Sequence, residues 1–104
     1  MRLRLYGICA GLLIAGVSLA GTDPLEAKDR QQFADGLFRR SLFDLAAREY
    51  AALAATPDVA GLDNVLFRLG ECYRRTRKGA EAEAAYKRLI DQFPKSPNVP
   101  RAEL

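Results

Sequence analysis

The side chains that most often perform catalysis are scarce in this chain of 104 residues. Histidine is absent, which excludes His-based acid–base catalysis, Ser–His and Cys–His nucleophile pairs and most zinc sites. Glu81 and Glu83 are two residues apart, so their carboxylates diverge on a helix and make no catalytic pair. There is no glycine-rich phosphate loop, no CxxC and no nucleophile motif. The sequence therefore predicts a protein that is not an enzyme and that needs no metal and no cofactor.

The basic side chains concentrate in one cluster, which consists of Arg74, Arg75, Arg77 and Lys78. One hypothesis is that this Arg74–Lys78 cluster binds an anionic surface or nucleic acid. The alternative is that these cations follow the C-terminal end of a predicted helix, where they offset the helix dipole and stay hydrated.

The first twenty residues have the pattern of an export signal. Arg2 and Arg4 precede an uncharged, largely apolar run over residues 5–22. This pattern predicts a signal peptide over residues 1–20 that is cleaved after Ala20, and the alternative is an uncleaved membrane anchor. Cleavage lowers the net charge from +3 to +1, because both arginines leave and no acid does.

The spacing of apolar residues and the stop signals predict four helices. The first covers residues 24–39, and the second begins at a Ser41 cap and ends before Pro57. The third covers residues 62–76 and the fourth residues 80–93. The predicted apolar faces contain Phe33, Leu37 and Phe38; Leu45, Ala46, Tyr50 and Leu53; Val65, Leu66, Leu69, Cys72 and Tyr73; and Ala82, Tyr86, Leu89, Ile90 and Phe93. No alternating run predicts a strand, so the predicted fold class is all-α.

Small and apolar positions recur at an interval of 36 residues. The shift aligns Phe33, Ala34, Leu37, Ala46, Tyr50 and Leu53 with Leu69, Gly70, Tyr73, Ala82, Tyr86 and Leu89, in that order. Six matches in one register across two helix pairs predict an internal repeat. Cys72, which is the only cysteine outside the first twenty residues, lies on one of these faces and is predicted to be a small packing residue.

The second copy resembles the tetratricopeptide repeat family. The residues that carry the resemblance are Leu66, Leu69, Gly70, Tyr73, Ala82, Tyr86, Leu89 and Pro94. The resemblance implies antiparallel helix pairs stacked as a short α-solenoid, and the signal peptide helix predicted from residues 1–20 precedes them. It also implies that Gly70 and Ala82 are small where the helices of a pair cross, whereas Tyr73 and Tyr86 fill the gap between pairs.

The export-signal pattern and the resemblance together divide the chain into five segments. They are the signal peptide at 1–20, the start of the first mature helix at 21–27, a first repeat at 28–58, a second at 63–96 and the start of a third, truncated repeat at 97–104. Helix pairs of this type bury their apolar faces by stacking. We therefore expect either that the chain is a fragment of a longer protein or that its C-terminal end packs on further repeats, a second copy or another partner.

The family generally binds peptides or protein segments in a groove lined by the first helix of each pair. Its groove positions correspond here to Gln31, Asp35, Phe38, Phe67, Glu71 and Arg74. In this interpretation the two phenylalanines are apolar anchors, and the acids and the arginine are polar selectors. Two acids would repel a C-terminal carboxylate, which argues against that ligand. The alternative is that these residues form a solvated face.

The segment 93–97 is also similar to the family's subgroup in bacterial envelope proteins of the Tol–Pal-associated type. This similarity implies an exported scaffold in the periplasm or cell envelope that binds a protein or peptide partner. Contact with a membrane is expected only through the signal or anchor segment, and no nucleic acid is expected.

Overall fold

The computed structural model describes residues 24–102, in which five α-helices follow one another. They are α1 (Pro24–Arg39), α2 (Phe43–Ala54), α3 (Leu62–Arg75), α4 (Gly79–Gln92) and α5 (Val99–Ala102). Each helix packs against the next one along the chain, and this part of the chain contains no strand. Short turns join α1 to α2 and α3 to α4, so each of these pairs is an antiparallel hairpin. The prediction of an all-α fold built from packed helix pairs is confirmed. The predicted signal peptide at 1–20 lies outside the described residues.

The two helix pairs share one turn geometry, offset by 36 residues. Ser41 and Arg77 both adopt a left-handed backbone conformation, with φ of 62° and 63°. After each of them, the next N–H donates to a carbonyl five residues earlier, at 2.9 Å after Ser41 and at 2.8 Å after Arg77. A left-handed residue followed by a hydrogen bond that spans five residues is the Schellman motif at the C-terminus of a helix. The repeat seen in the side chains is therefore present in the backbone as well.

The prediction that Ser41 caps α2 is wrong. The helix begins at Phe43, its N-cap residue is Leu42, and no side chain hydrogen-bonds to that end. Ser41 terminates α1 instead, so it lies one residue too early to cap the helix that follows.

One apolar core connects α1 to α5 along the helix stack. Its largest fully buried side chains are Tyr50, Leu53, Leu66, Leu89, Val65 and Cys72. Cys72 is therefore a packing residue, as predicted. Burial raises the pKa of its thiol to about 12, and the negative charge of Glu71 adds to the shift, so the thiol stays protonated at neutral pH.

Two of the residues predicted to lie on apolar faces are exposed instead. Phe33 is 57% exposed and Leu45 is 46% exposed. The inward positions of α1 are Ala34 and Leu37, which are buried. Among the described residues α1 is the first helix of the stack, so its outer flank has no neighbouring helix to cover it. Periodicity alone does not distinguish the covered flank of such a helix from the open one.

Gly70 of α3 and Tyr86 of α4 approach closely within the second helix pair. A Cβ atom at position 70 would overlap the ring of Tyr86, so any side chain there would require the ring to move. The ring therefore rests on the backbone of α3. Tyr86 thus lies inside its own helix pair, and not between pairs as the resemblance implied.

Substitution of Gly70 by alanine tests this packing. We expect Gly70→Ala to lower the free energy of unfolding by about 1–3 kcal/mol, because the ring of Tyr86 must move to admit the new methyl group. The matched control is Gly36→Ala in α1, where a Cβ would meet only the tip of Arg39, at 3.9 Å. That substitution should raise stability by up to about 1 kcal/mol through helix propensity. Urea denaturation followed by circular dichroism measures both, and equal stability of the two variants would contradict the packing described here.

Candidate partner-binding groove

The residues predicted to line a groove lie on α1 and α3. Arg68 of α3 bridges these two helices. Its guanidinium carbon lies 5.0 Å from the ring centre of Phe38, and its Nε lies 3.9 Å from Oδ1 of Asp35. We call the surface formed by Asp35 and Phe38 of α1, by Phe67, Arg68, Glu71 and Arg74 of α3, and by Arg101 of α5 the groove face.

Gln31 lies one helical turn before Asp35 on α1. It lies against the turn between α2 and α3, where it lines a separate hollow of about 320 Å³ with Ala27, Asp58 and Val59. The structure therefore does not bring Gln31 into the same site as Phe67, although the repeat register places them at equivalent positions.

The turn that follows α4 fixes α5 beside α3. Two side-chain hydrogen bonds of 2.7 Å join this turn to the start of α3, from Ser96 to Asp63 and from Asn98 to Asn64. They hold Arg101 above the ring of Phe67, with 4.9 Å between the guanidinium carbon and the ring centre. A guanidinium over an aromatic face is attracted by the ring quadrupole. Arg101 thereby becomes part of the groove face.

A hollow of about 400 Å³ opens on the groove face between α3, α4 and α5. Its lining residues are Phe67, Glu71, Arg74, Tyr86, Arg101 and Ala102. Three of the six predicted groove residues therefore surround one concave space. The size is that of an ordinary small-ligand or side-chain pocket.

Both predicted acidic groove residues accept a hydrogen bond from a tyrosine on the paired helix. The hydroxyl of Tyr50 donates to Asp35 and that of Tyr86 donates to Glu71. Burial raises the pKa of Tyr50 well above its usual value and that of Tyr86 to about 12, and the bonded carboxylates add to both shifts. Both tyrosines therefore remain protonated donors at neutral pH. The two pairs are offset by the same 36 residues as the turns.

Glu71 also has two arginine partners on its own helix. Nη2 of Arg74 lies 2.8 Å from its Oε1, and Nε of Arg75 lies 4.0 Å from the same atom. Burial alone would raise the pKa of Glu71, but the hydrogen bonds from Arg74 and Tyr86 and the charges of both arginines outweigh it and hold the pKa below 4.5. Glu71 is thus ionised and already paired, so it presents less negative charge to a ligand than the sequence suggested.

The Arg74–Lys78 cluster does not form a single basic patch. Arg74 lines the hollow of the groove face, whereas the guanidinium of Arg75 lies over the ring of Phe43 on α2, 5.0 Å from its centre. Arg77 occupies the left-handed turn position, and Lys78 is the N-cap residue of α4. The four cations therefore serve different local roles.

Sequence reasoning missed Arg68, Arg101 and the two tyrosines as parts of the groove face. The family's groove positions lie on the first helix of each pair, so their transfer did not reach tyrosines on the second helix. The contacts of both arginines with phenylalanine rings depend on side-chain direction, which the spacing of residues does not give. The recurrence of Asp35 with Tyr50 and of Glu71 with Tyr86 in one register was a signal that could have revealed the pairs.

Residues 24–102 offer no arrangement of His, Cys, Asp and Glu side chains that could hold a metal ion. No helix in that range is long and apolar enough to cross a membrane. Every buried polar side-chain atom described there has a hydrogen-bond partner.

Removal of the Tyr86 hydroxyl tests the carboxylate pairing. We expect Tyr86→Phe to lower the free energy of unfolding at neutral pH by about 1–2 kcal/mol, because the hydrogen bond to ionised Glu71 is lost. The matched control is Tyr73→Phe, since the Tyr73 hydroxyl makes no hydrogen bond among the described residues. Tyr73→Phe should change stability far less.

The pH dependence of this difference follows from the lowered pKa of Glu71. A carboxyl whose pKa is lowered by folding stabilises the protein above its unfolded pKa, here 4.5, and the contribution is lost as the pH falls through the folded pKa. The gap between wild type and Tyr86→Phe should therefore narrow in acid. Urea denaturation at a series of pH values measures it, and a gap that is independent of pH would refute the pairing.

Comparison with known proteins gives one match. Residues 64–96 match the family model of the tetratricopeptide repeat. No curated protein and no solved structure matches the chain significantly. The matched segment contains α3, from Asn64 onward, and all of α4, so the helix pair that carries the Gly70–Tyr86 contact is similar to a tetratricopeptide repeat.

Proposed function

We propose that the chain is an exported, non-enzymatic scaffold of the tetratricopeptide type that holds protein partners in the bacterial cell envelope. Tetratricopeptide repeats generally mediate protein–protein interactions. The observation that carries the proposal is that the matched helix pair at 64–96 contributes four of the six residues around the hollow of the groove face, namely Phe67, Glu71, Arg74 and Tyr86.

The groove face supplies two half-buried aromatic positions for partner contact. Phe38 and Phe67 are each partly exposed, and the guanidinium of an arginine lies over each ring. Aromatic anchors of limited flexibility lose little conformational entropy on binding, which makes them effective interface residues. Asp35 and Glu71 fix the neighbouring tyrosines and arginines, so the face is organised before a partner arrives.

The groove can be tested by capture of partners from an envelope extract of the host cells. We expect Phe67→Ala and Phe38→Ala to reduce capture by the full chain, because each removes an aromatic contact from the groove face. The matched control is Phe33→Ala, which deletes an exposed phenylalanine of α1 that does not line the hollow. Circular dichroism checks that each variant is folded. Equal capture by all three variants and wild type, or a loss confined to Phe33→Ala, would contradict the groove.

Export is proposed from the sequence of residues 1–20, and the mature N-terminus tests it. We expect N-terminal sequencing and intact mass of the product from host cells to give a chain that starts at Gly21, because the peptidase site predicted by the small residues ends at Ala20. A product that retains residues 1–20 in the membrane fraction would favour the alternative of a membrane-tethered module.

A further inference from the structure

We propose, on the basis of the scaffold function proposed above, that the groove face selects acidic peptide segments. In this proposal the side-chain carboxylates of the segment contact Arg74 and Arg101, and one of its apolar side chains enters the hollow beside Phe67. The partner chemistry is thus a peptide that alternates acidic and apolar residues, and it requires no free C-terminal carboxylate.

The first support is the charge of the hollow. Its charged lining residues are Arg74, Arg101 and Glu71. Two cations against one anion leave a positive excess, and the carboxylate of Glu71 also accepts a hydrogen bond from Tyr86. A surface with this excess attracts an anionic segment and disfavours a cationic one.

The second support is the orientation of the arginines. The guanidinium of Arg101 lies over the ring of Phe67 and that of Arg68 lies over the ring of Phe38. The N–H donors of a guanidinium lie at its edge, where a carboxylate can accept two parallel hydrogen bonds.

The positions of Arg68 and Arg101 over the two phenylalanine rings also disfavour the binding of nucleic acid. Proteins that bind single strands stack the bases on open aromatic faces, but here an arginine lies over the ring of Phe38 and another over that of Phe67. The ring of Phe67 also contacts Tyr86, with 6.2 Å between ring centres. The hollow that remains is lined by the apolar surfaces of Phe67 and Ala102 beside Arg74 and Arg101, which suits an apolar side chain flanked by carboxylates.

Binding of a synthetic peptide to the full chain tests the proposal. The probe is a fluorescent peptide of alternating glutamate and leucine, acetylated and amidated at its ends, and its matched control carries glutamine in place of every glutamate. Fluorescence anisotropy should show tighter binding of the acidic peptide, and its affinity should fall as salt is added. Arg101→Gln and Arg74→Gln should each weaken binding of the acidic peptide about threefold to fivefold.

The matched control variant is Arg48→Gln, which removes an exposed arginine of α2, a helix that contributes no side chain to the hollow. It should leave the affinity unchanged. Equal binding of the two peptides would overturn the acidic preference but would leave a groove for peptides in place. Failure of both peptides to bind would overturn it as well, and capture by the phenylalanine variants would still decide the scaffold function separately. Tighter binding of polyadenylate or of phosphatidylserine vesicles than of the acidic peptide would also overturn the proposal.

Discussion

The contact between the ring of Tyr86 and the backbone at Gly70 sets the geometry on which the second helix pair depends. The missing side chain at position 70 lets the ring lie against the backbone of α3, and the tyrosine hydroxyl reaches across to Glu71. The packing of this pair therefore depends on a small residue at position 70. The first pair makes the equivalent bond from Tyr50 to Asp35, and there alanine takes the place of glycine.

The hydrogen bonds of the tyrosines to the carboxylates reduce the negative charge that the groove face presents to a ligand. Asp35 and Glu71 appear free in the sequence but are engaged by tyrosines and arginines within the protein, whereas Arg74 and Arg101 line the hollow. A hydrogen bond to an ionised group in a partly buried place is stronger than one in water, so these pairs are fixed before any ligand arrives. The hollow is consequently lined by two arginines and a glutamate that is already paired within the protein.

Much of the fold could be predicted because helix punctuation and periodicity are local properties. Pro24, Arg39 and Leu62 bound helices where the sequence placed them, and the interval of 36 residues appears in side chains and turns alike. The role of Ser41 was predicted wrongly, because a serine before a helix is typical of an N-cap, whereas this one adopts the left-handed conformation that ends α1. Phe33 and Leu45 were misplaced because periodicity identifies an apolar face but not the flank that another helix covers.

The candidate groove was predicted less completely than the fold. The repeat register identified Phe67, Glu71 and Arg74, which do surround one hollow. The three predicted residues of α1, which are Gln31, Asp35 and Phe38, do not line it, and Gln31 lines a different hollow. The arginine Arg101 enters the groove face through hydrogen bonds of the turn before α5, and such contacts depend on three-dimensional neighbours that spacing along one helix does not encode.

The most direct test of the central claim is a titration of the Glu71 carboxyl by carbon-13 nuclear magnetic resonance in the folded protein. The account predicts a midpoint below 4.5, because Tyr86, Arg74 and Arg75 stabilise the ionised form in spite of burial. It also predicts that the midpoint rises in Tyr86→Phe. A midpoint at or above the value of a free glutamate would show that the carboxylate is not engaged within the protein and would contradict the account.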